Sequence, residues 1–556
     1  MGRSTSTRVE RLQPYGPYRL VLVLPQGRGV MSGASFDLRR QGFCPVGWLP
    51  GQDLPQGKKP DDLLSLEELL VHAHAIAGVR VPLPPAEAGL LRILAVLVAR
   101  VTGLDRIEDK TVWAEKREEV LRDGCFDPHR VAEYFDGFAQ RFELFHTATQ
   151  RPFLQQPDLV EQCQNSKGEL VSSGVNKLVT GRSAGQSFVW QSHTVDSAPV
   201  PVGPPEAFFS MLVWLFYGMP GRCTSRKVGQ TSAADTKAGP LRGTVSFHPV
   251  GASLFETLLL GLPHLPSDAD DLAPWEEPQL PDPLGVPPQP RGLARVLTGR
   301  FRHAVLLAPA ADGSAVEDTY ITWAWRREQG PAKDPYLIHF PRPGAENPLS
   351  PQAAQADRAI WRDLDTLLRK TLGEERFRPQ VFDDLDEFRE GDVAIDVDTV
   401  GIRAIGFDQD RSQARNRQYY TGTTPPVLGM LETRSGERWY RVRRARQNAE
   451  RAGENLRTAL RGAWRELTRT SGRGRQRDEG VAWLHPGMAR YWSVAEWQFW
   501  TIVRPEEPPQ GGIGNRFIHH ALNTYDQVTK DYARSGHDIK ILERHRSVIL
   551  RGWRSS

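Results

Sequence analysis

Cysteine is scarce: Cys44, Cys125, Cys163 and Cys223 are the four in 556 residues, far apart and with no CxxC pair among them. That excludes a disulfide framework and a cysteine-built zinc site as organising features, and a reduced compartment is the simpler setting. Long apolar runs are missing too. The two most apolar stretches are Leu90–Val101, interrupted by Arg92 and Arg100, and Ala207–Tyr217. Both fall short of the roughly 20 residues that cross a bilayer, so they are expected as buried helices and no membrane association is expected. The first thirty residues hold several arginines and the patch Leu20–Leu24, without the hydrophobic segment and small-residue cleavage site of a signal peptide. A cytoplasmic protein is expected, with residues 1–34 a loose N-terminal extension and Met31 an alternative start.

Nucleotide and metal signatures are equally absent. The chain has no Walker loop, no G-x-G-x-x-G and no H-E-x-x-H. His72 and His74 sit two apart in a helical stretch, where that spacing points them away from each other. His519 and His520 are neighbours on a helix. The acid pairs Asp383–Asp384 and Asp392–Asp396 stand among other charges at no spacing specific to acid–base work. No cofactor, metal site or catalytic centre is expected.

The chain does have the makings of a large soluble protein, with 39% hydrophobic and 25% charged residues. Its length exceeds what one hydrophobic core supports, so two or three domains are expected. Net charge is +4 but unevenly spread. Between Leu431 and Arg477 there are 14 arginines against five glutamates, and no lysine. This excess reads as a polyanion-binding face or a contact with an acidic partner; the alternative is a solvated helix laced with i,i+4 pairs. Between Leu262 and Pro290 there are six acids, nine prolines and no lysine or arginine, which reads as a linker or surface excursion.

Periodicity places helices over 63–77, 85–102, 128–145, 204–217 and 351–372. Short strands are expected at Ala304–Leu307, Tyr320–Trp325 and Tyr336–Phe340. Gln155–Gly185 and Gly218–Gly243 read as loops, and Leu254–Gly261 as a short helix or strand. Residues 401–425 suggest a strand, a polar turn and a return. From Leu431 the pattern changes to four long helices, 433–470, 486–505, 513–534 and 537–553, separated by Gly/Pro breaks, as in a four-helix bundle. The fold class expected is α+β: a mixed α/β domain over 35–430 followed by a C-terminal four-helix bundle over 431–556.

Gly181-Arg182-Ser183-Ala184-Gly185 matches G-x-S-x-G, the nucleophile elbow of serine hydrolases. That chemistry needs a strand before the serine and a helix after it. Here VNKLVT is only weakly strand-like and QSFVWQSH looks extended. A turn whose bare backbone approaches a ligand accounts better for the glycines.

Several segments, in order, resemble the CasA family, the large subunit of type I-E CRISPR Cascade complexes. They are SFDLRRQGFCPVGW, PAEAGLLRILAVLVARVTG, YFDGFAQRFELFHTATQRPFLQ, NKLVTGRSAGQSF and GASLFETLLLGLP. The F-x-L-F…RPFLQ and SLFETLLLGLP segments are the specific ones. The resemblance implies a non-enzymatic subunit of an antiviral ribonucleoprotein that grips the 5′ handle of a guide RNA alongside other Cascade subunits. It would read the protospacer-adjacent motif (PAM) of double-stranded DNA through the minor groove, start R-loop formation and recruit a helicase–nuclease, the guide reading the long sequence. By position, Gly181, Arg182, Ser183, Ala184, Gly185 and Gln186 correspond to the family's glycine loop. Gln409, with Asp410 and Arg411, corresponds to its glutamine wedge, and Lys167, Asn176 and Lys177 to its guide-handle contacts. The family's minor-groove lysine would fall near Asp312–Ser314, where this chain has none; Arg300, Arg302 or Lys333 are possible substitutes. Two other readings stay open: a serine hydrolase using Ser183, and a scaffold of another ribonucleoprotein.

Overall fold

Pro84–Thr102 is a helix buried on every side: all its residues except Pro84 and Arg100 are shielded from solvent. Two prolines open its first turn, where the missing N–H costs nothing, and Gly103, at φ 74°, ends it in the left-handed region. It crosses the equally apolar Pro204–Tyr217 helix so closely that a Cβ on Gly89 would lie 2.6 Å from the Phe216 ring. Midway along it, Arg92 is 0% exposed. Its guanidinium donates to both Asp334 carboxylate oxygens (3.0 and 3.2 Å) and to the Ala88 carbonyl (2.9 Å), and lies 5.0 Å from the Tyr336 ring centroid.

The computed structural model describes residues 35–51, 53–145, 151–185, 193–342, 344, 349–369, 377–387, 396–410, 415–468, 480–505 and 512–551. Against the central helix lies a three-stranded antiparallel sheet. Gly401–Gln409 is its middle strand, between Val245–Val250 and Asn416–Thr423. Arg403 of the middle strand forms a two-pronged ion pair with Glu87 of the helix (2.6 and 2.7 Å). A hairpin of His303–Pro309 and Val316–Trp323 stands beside the Pro204–Tyr217 helix. The expected strand–turn–return over 401–425 and the strands near 304–307 and 320–325 are present.

Four expectations differ from the structure. Residues 218–243 are not a loop: Gly221–Val228 and Thr231–Thr236 pair as a hairpin around Gly229, at φ 56°. The hairpin docks on its neighbour through Thr322 Oγ1 donating to the Thr224 carbonyl (2.6 Å) and Trp323 Nε1 to that of Ala233 (3.0 Å). Short Ser, Thr and Ala side chains masked the alternation there. Residues 155–185 contain two helical turns, Leu159–Gln162 and Val175–Leu178. The Pro/Asp-rich 262–290 stretch is no free excursion either. Trp275 is buried, Arg100 binds Glu276 (3.0 Å) and Asp105, and Asp271 caps the Leu293–Thr298 helix through the Ala294 and Arg295 N–H groups. Asp271, Glu276 and Glu277 find basic and backbone partners on distant elements, which local composition cannot reveal. Finally, residues 351–359 carry no helix. Leu349–Pro351 pairs with His339–Pro341, and helical structure is confined to Ile360–Asp363 and Leu364–Leu367.

The four C-terminal helices are Gly436–Leu467, Leu484–Val503, Ile513–Thr529 and Gly536–Arg546, packed together around the first. Ser435 caps the first by accepting from the Arg438 N–H. Trp361 of the preceding region stacks on Phe499 (4.7 Å between ring centroids), and Arg358 and Arg362 both reach Glu450 (3.3 and 2.9 Å). The protein is thus α+β with a C-terminal helical bundle. Among the described residues, no helix is long and apolar enough to cross a membrane.

Candidate nucleic-acid interface

The 181–185 turn is built on a fixed base. Trp214 Nε1, from the buried Pro204–Tyr217 helix, donates to the carbonyls of Lys177 (3.1 Å) and Leu178 (2.9 Å). Gly174 N donates to Asp318 Oδ1 (3.1 Å). The Val175–Leu178 helical turn is therefore pinned to two elements, and the chain leaves it at Val179 for the glycines. Gly181 (φ 98°) and Gly185 (φ 59°) hold left-handed conformations that L side chains rarely adopt, and none of the described residues comes within 4 Å of where either Cβ would stand.

The far side of the turn is clamped as well. Gly185 N donates to Asp196 Oδ2 (2.6 Å), and Arg182 donates to the Val200 carbonyl (2.6 Å) while standing 3.6 Å from Glu206. Ser183 and Ala184 are half-buried between them. Gln186 lies outside the described residues. Because a helical turn rather than a strand precedes Ser183, the first half of a nucleophile elbow is missing. The resulting feature is a rigid loop presenting bare backbone, with Asp196 a clamp that sequence reading missed.

The three expected guide-handle residues separate. Lys167 is exposed on a tight turn in which Asn165 Oδ1 accepts from the Lys167 and Glu169 N–H groups (2.8 and 3.1 Å). Lys177 is half-buried, its amine 6.0 Å from the Trp214 ring centroid, and burial pulls its pKa below the usual lysine range. Asn176 is 1% exposed and donates to the Val195 carbonyl (3.1 Å) and Asp196 (3.4 Å). As placed, Asn176 ties the turn to its clamp and presents no surface to a ligand.

Gln409 differs most from expectation. It ends the central strand, yet its side chain turns inward and is 7% exposed rather than thrust forward. Its Oε1 accepts from Gly243 N (3.2 Å); its Nε2 donates to Asn416 Oδ1 (2.8 Å) and the Tyr217 carbonyl (3.3 Å). Arg242 completes the knot. It donates to the carbonyls of Asp410 (2.9 Å), Arg415 (3.2 Å) and Tyr217 (3.3 Å), so it grips both sides of the hairpin end. Nothing in the local sequence singles out Arg242; its role comes from contacts more than 160 residues away. Asp410 is half-buried at the start of the connection, and Arg411 lies outside the described residues.

Asp312–Ser314 forms the closed turn of the 303–323 hairpin, Asp312 Oδ1 accepting from Ser314 N (3.0 Å) and Oγ (2.7 Å). Arg300 and Arg302 lie beyond the opposite, open end. The intervening ladder, His303 to Pro309, spans about 20 Å at ~3.4 Å per residue, so neither arginine stands where the lysine would.

The arginine-rich helix divides its cations. Arg438, Arg446 and Arg457 pair with Asp398 (3.5 Å), Asp365 (2.9 Å) and Glu454 (3.6 Å), and buried Arg441 donates to the Pro505 carbonyl (2.6 Å). Arg443, Arg444, Arg451 and Arg465 are exposed. Part of the excess holds the bundle together, and part forms a basic surface.

Comparison with known proteins agrees with this architecture. The family described as CRISPR-associated protein Cse1 matches residues 47–513. A solved chain of a "CRISPR RNA-guided surveillance complex" is 41% identical, with a TM-score of 0.81 over 93% of this chain and 100% of that one. A chain of the same kind of complex described as pre-nicking is 40% identical (TM-score 0.74, over 94% and 100%). The Cse1 crystal structure from Acidimicrobium ferrooxidans shares the fold at 21% identity (TM-score 0.67, over 93% and 98%). No curated protein matches. The length of the family match, together with the identity to the first of these structures over nearly the whole chain, places this protein in the Cse1 (CasA) family.

Proposed function

We propose that this chain is the large, non-catalytic subunit of an RNA-guided surveillance complex, where it reads the PAM on duplex DNA and starts strand opening. The observation that carries the reading is the 181–185 turn: bare backbone at two left-handed glycines, no described residue crowding either Cβ position, and clamps on both sides. The minor groove is only about 6 Å wide, and a glycine turn is among the few protein features narrow enough to enter it. In this reading Arg182, Ser183, Ala184 and Gln186 flank the groove contact. Lys167 and Lys177 lie on the guide-handle side, Lys167 as a phosphate contact. The 35–430 region does the recognition, and the 431–556 bundle supplies a basic face to the complex and to the helicase–nuclease.

Strand opening is assigned to the hairpin of Gly401–Gln409 and Asn416–Thr423, with the inserted group supplied from the sequence joining those strands rather than by the Gln409 side chain. Gln409 and Arg242 act as its anchor, since insertion by Gln409 would require breaking three internal hydrogen bonds. Separating one base-pair step costs about 1.4 kcal/mol of stacking, equivalent to about tenfold in rate. Replacing residues 410–415 with a two-residue Asn-Gly turn is therefore expected to slow opening of a fully paired target about tenfold, followed by permanganate reactivity. A target already bubbled beside the PAM binds as before. Unchanged opening on paired DNA would place the wedge in another element.

Changing Arg443 and Arg444 together to glutamine is expected to weaken binding of every DNA sequence alike. It should also flatten the log Kd against log salt slope by about 1.8, at ~0.9 per phosphate contact. An altered PAM preference, or an unchanged slope, would show that these exposed arginines do not meet the backbone. Arg441 is excluded from this pair because its guanidinium is internal to the bundle.

A further inference from the structure

Beside the open end of the 303–323 hairpin lies a cavity of about 230 Å³, lined by Gly239, Arg300, Arg302, Gln329 and Gly330 among others. Arg300 lines it with its charge unanswered: among the described residues, no group forms a hydrogen bond or ion pair with its guanidinium. Arg300 is half-buried; a guanidinium does not shed its proton in proteins, so even partial burial without a counter-ion costs free energy. Burial does pull the Arg300 pKa below the usual arginine range, with Arg302 and Arg92 adding to the effect. The acid that acts on Arg300 from the protein interior is Asp334, and both oxygens of Asp334 are already engaged by Arg92 (3.0 and 3.2 Å). Arg302 shares the single carboxylate of Glu328 (3.1 Å) with Lys237 (3.6 Å), in an exposed arrangement of little strength. Four cations, Arg92, Arg300, Arg302 and Lys237, thus stand against two acids, Asp334 and Glu328.

The walls are fixed independently of any ligand. Gln329 Nε2 donates to the Pro288 and Gly299 carbonyls (2.7 and 3.1 Å). A Cβ on Gly239 would stand 2.7 Å from the Phe216 carbonyl oxygen and 2.8 Å from Gly218 N, so that position is held to glycine by neighbouring backbone. The volume equals about eight waters at ~30 Å³ each. A tetrahedral oxyanion fits with part of its hydration.

We propose that this cavity is a phosphate-binding site, in which Arg300 and Arg302 close on the oxygens of a single phosphate group. Arginine suits the task because its planar fork presents paired donors to one oxyanion. The group is either a free phosphate ion or one phosphate of a bound nucleic acid, and the site stands apart from the PAM reading above.

The test uses the full chain and inorganic phosphate. Against chloride of equal ionic strength, phosphate is expected to raise the Tm of the wild type by about 1–2 °C through preferential binding to the folded state. Arg300→Met is expected to lose that phosphate-specific rise, yet to melt no lower than the wild type in chloride, because it removes a half-buried charge with no ion-pair partner among the described residues. A wild type that melts alike in both salts, or an Arg300→Met variant that keeps the rise, would overturn the proposal. The source follows from competition. Phosphate weakening nucleic-acid binding by the wild type but not by Arg300→Met identifies a backbone phosphate, and nucleic-acid binding indifferent to phosphate in both identifies the free ion.

Discussion

Gly185→Leu is expected to fold normally and to cut the affinity of the assembled complex for PAM-bearing duplex about 100-fold or more. Gly185 sits at φ 59° with none of the described residues within 4 Å of the Cβ position, so a side chain there meets none of them. Its cost to the fold is limited to the left-handed backbone of one residue, about 1–2 kcal/mol, small enough for a large protein to survive. Its cost to recognition is far larger if the turn enters a groove about 6 Å wide, since a leucine side chain at the leading edge fills that width. Loss of binding by two orders of magnitude corresponds to about 2.8 kcal/mol. The matched control is Ser183→Ala, which removes one hydroxyl from a half-buried position and is expected to leave target binding within about twofold. Filter binding with equal concentrations of complex, alongside thermal melts of each variant, reads both. Full binding by Gly185→Leu would remove the turn from the recognition surface. Loss of an ester-hydrolysing activity in Ser183→Ala would favour a hydrolase instead.

The second large effect concerns the fold. Asp334→Ala is expected to destabilise the protein by about 3–5 kcal/mol, because it strands the fully buried Arg92 guanidinium with only the Ala88 carbonyl and the Tyr336 ring as company. Asp334 also accepts from the Tyr336 N–H (3.0 Å), so the loop that carries Tyr336 into the core loosens at the same time. Replacing both members, Arg92→Met with Asp334→Leu, is expected to restore most of the loss, since apolar side chains of similar volume often match a buried pair. Guanidinium melts of the single and double variants measure this. A single variant as stable as the wild type would mean that water reaches Arg92.

Much of this architecture was legible in the sequence because the signals were local. The Pro84–Thr102 and Pro204–Tyr217 helices announce themselves by apolar runs behind paired prolines, and the four C-terminal helices by sustained periodicity between glycine and proline breaks. The 401–423 hairpin was visible as two β-rich runs around a polar turn. What was not legible depends on partners distant in sequence. The acids of 262–290 look solvated until Arg100 and the Leu293–Thr298 helix are brought to them. Residues 351–359 have helical composition, but strand pairing at Leu349–Pro351 and the hydrogen bond from Ala356 N to Asp408 hold them in another conformation. At the candidate site, the sequence pointed to a glycine turn over 181–185, and the left-handed backbones of Gly181 and Gly185 came only with the structure. The directions of Asn176 and Gln409 were not, because period and turn residues locate a side chain along the strand or helix without saying which distant backbone it will bond.

If this subunit supplies PAM discrimination, as proposed, that discrimination depends on its presence in the complex. Two duplex targets, identical except for a PAM or a scrambled PAM, are titrated with the reconstituted complex and with the complex lacking this chain. The full complex is expected to prefer the PAM target by at least about tenfold, the value of one good contact set at ~1.4 kcal/mol, and to lose that preference when the chain is omitted. A complex that discriminates equally well without this subunit would contradict the proposal.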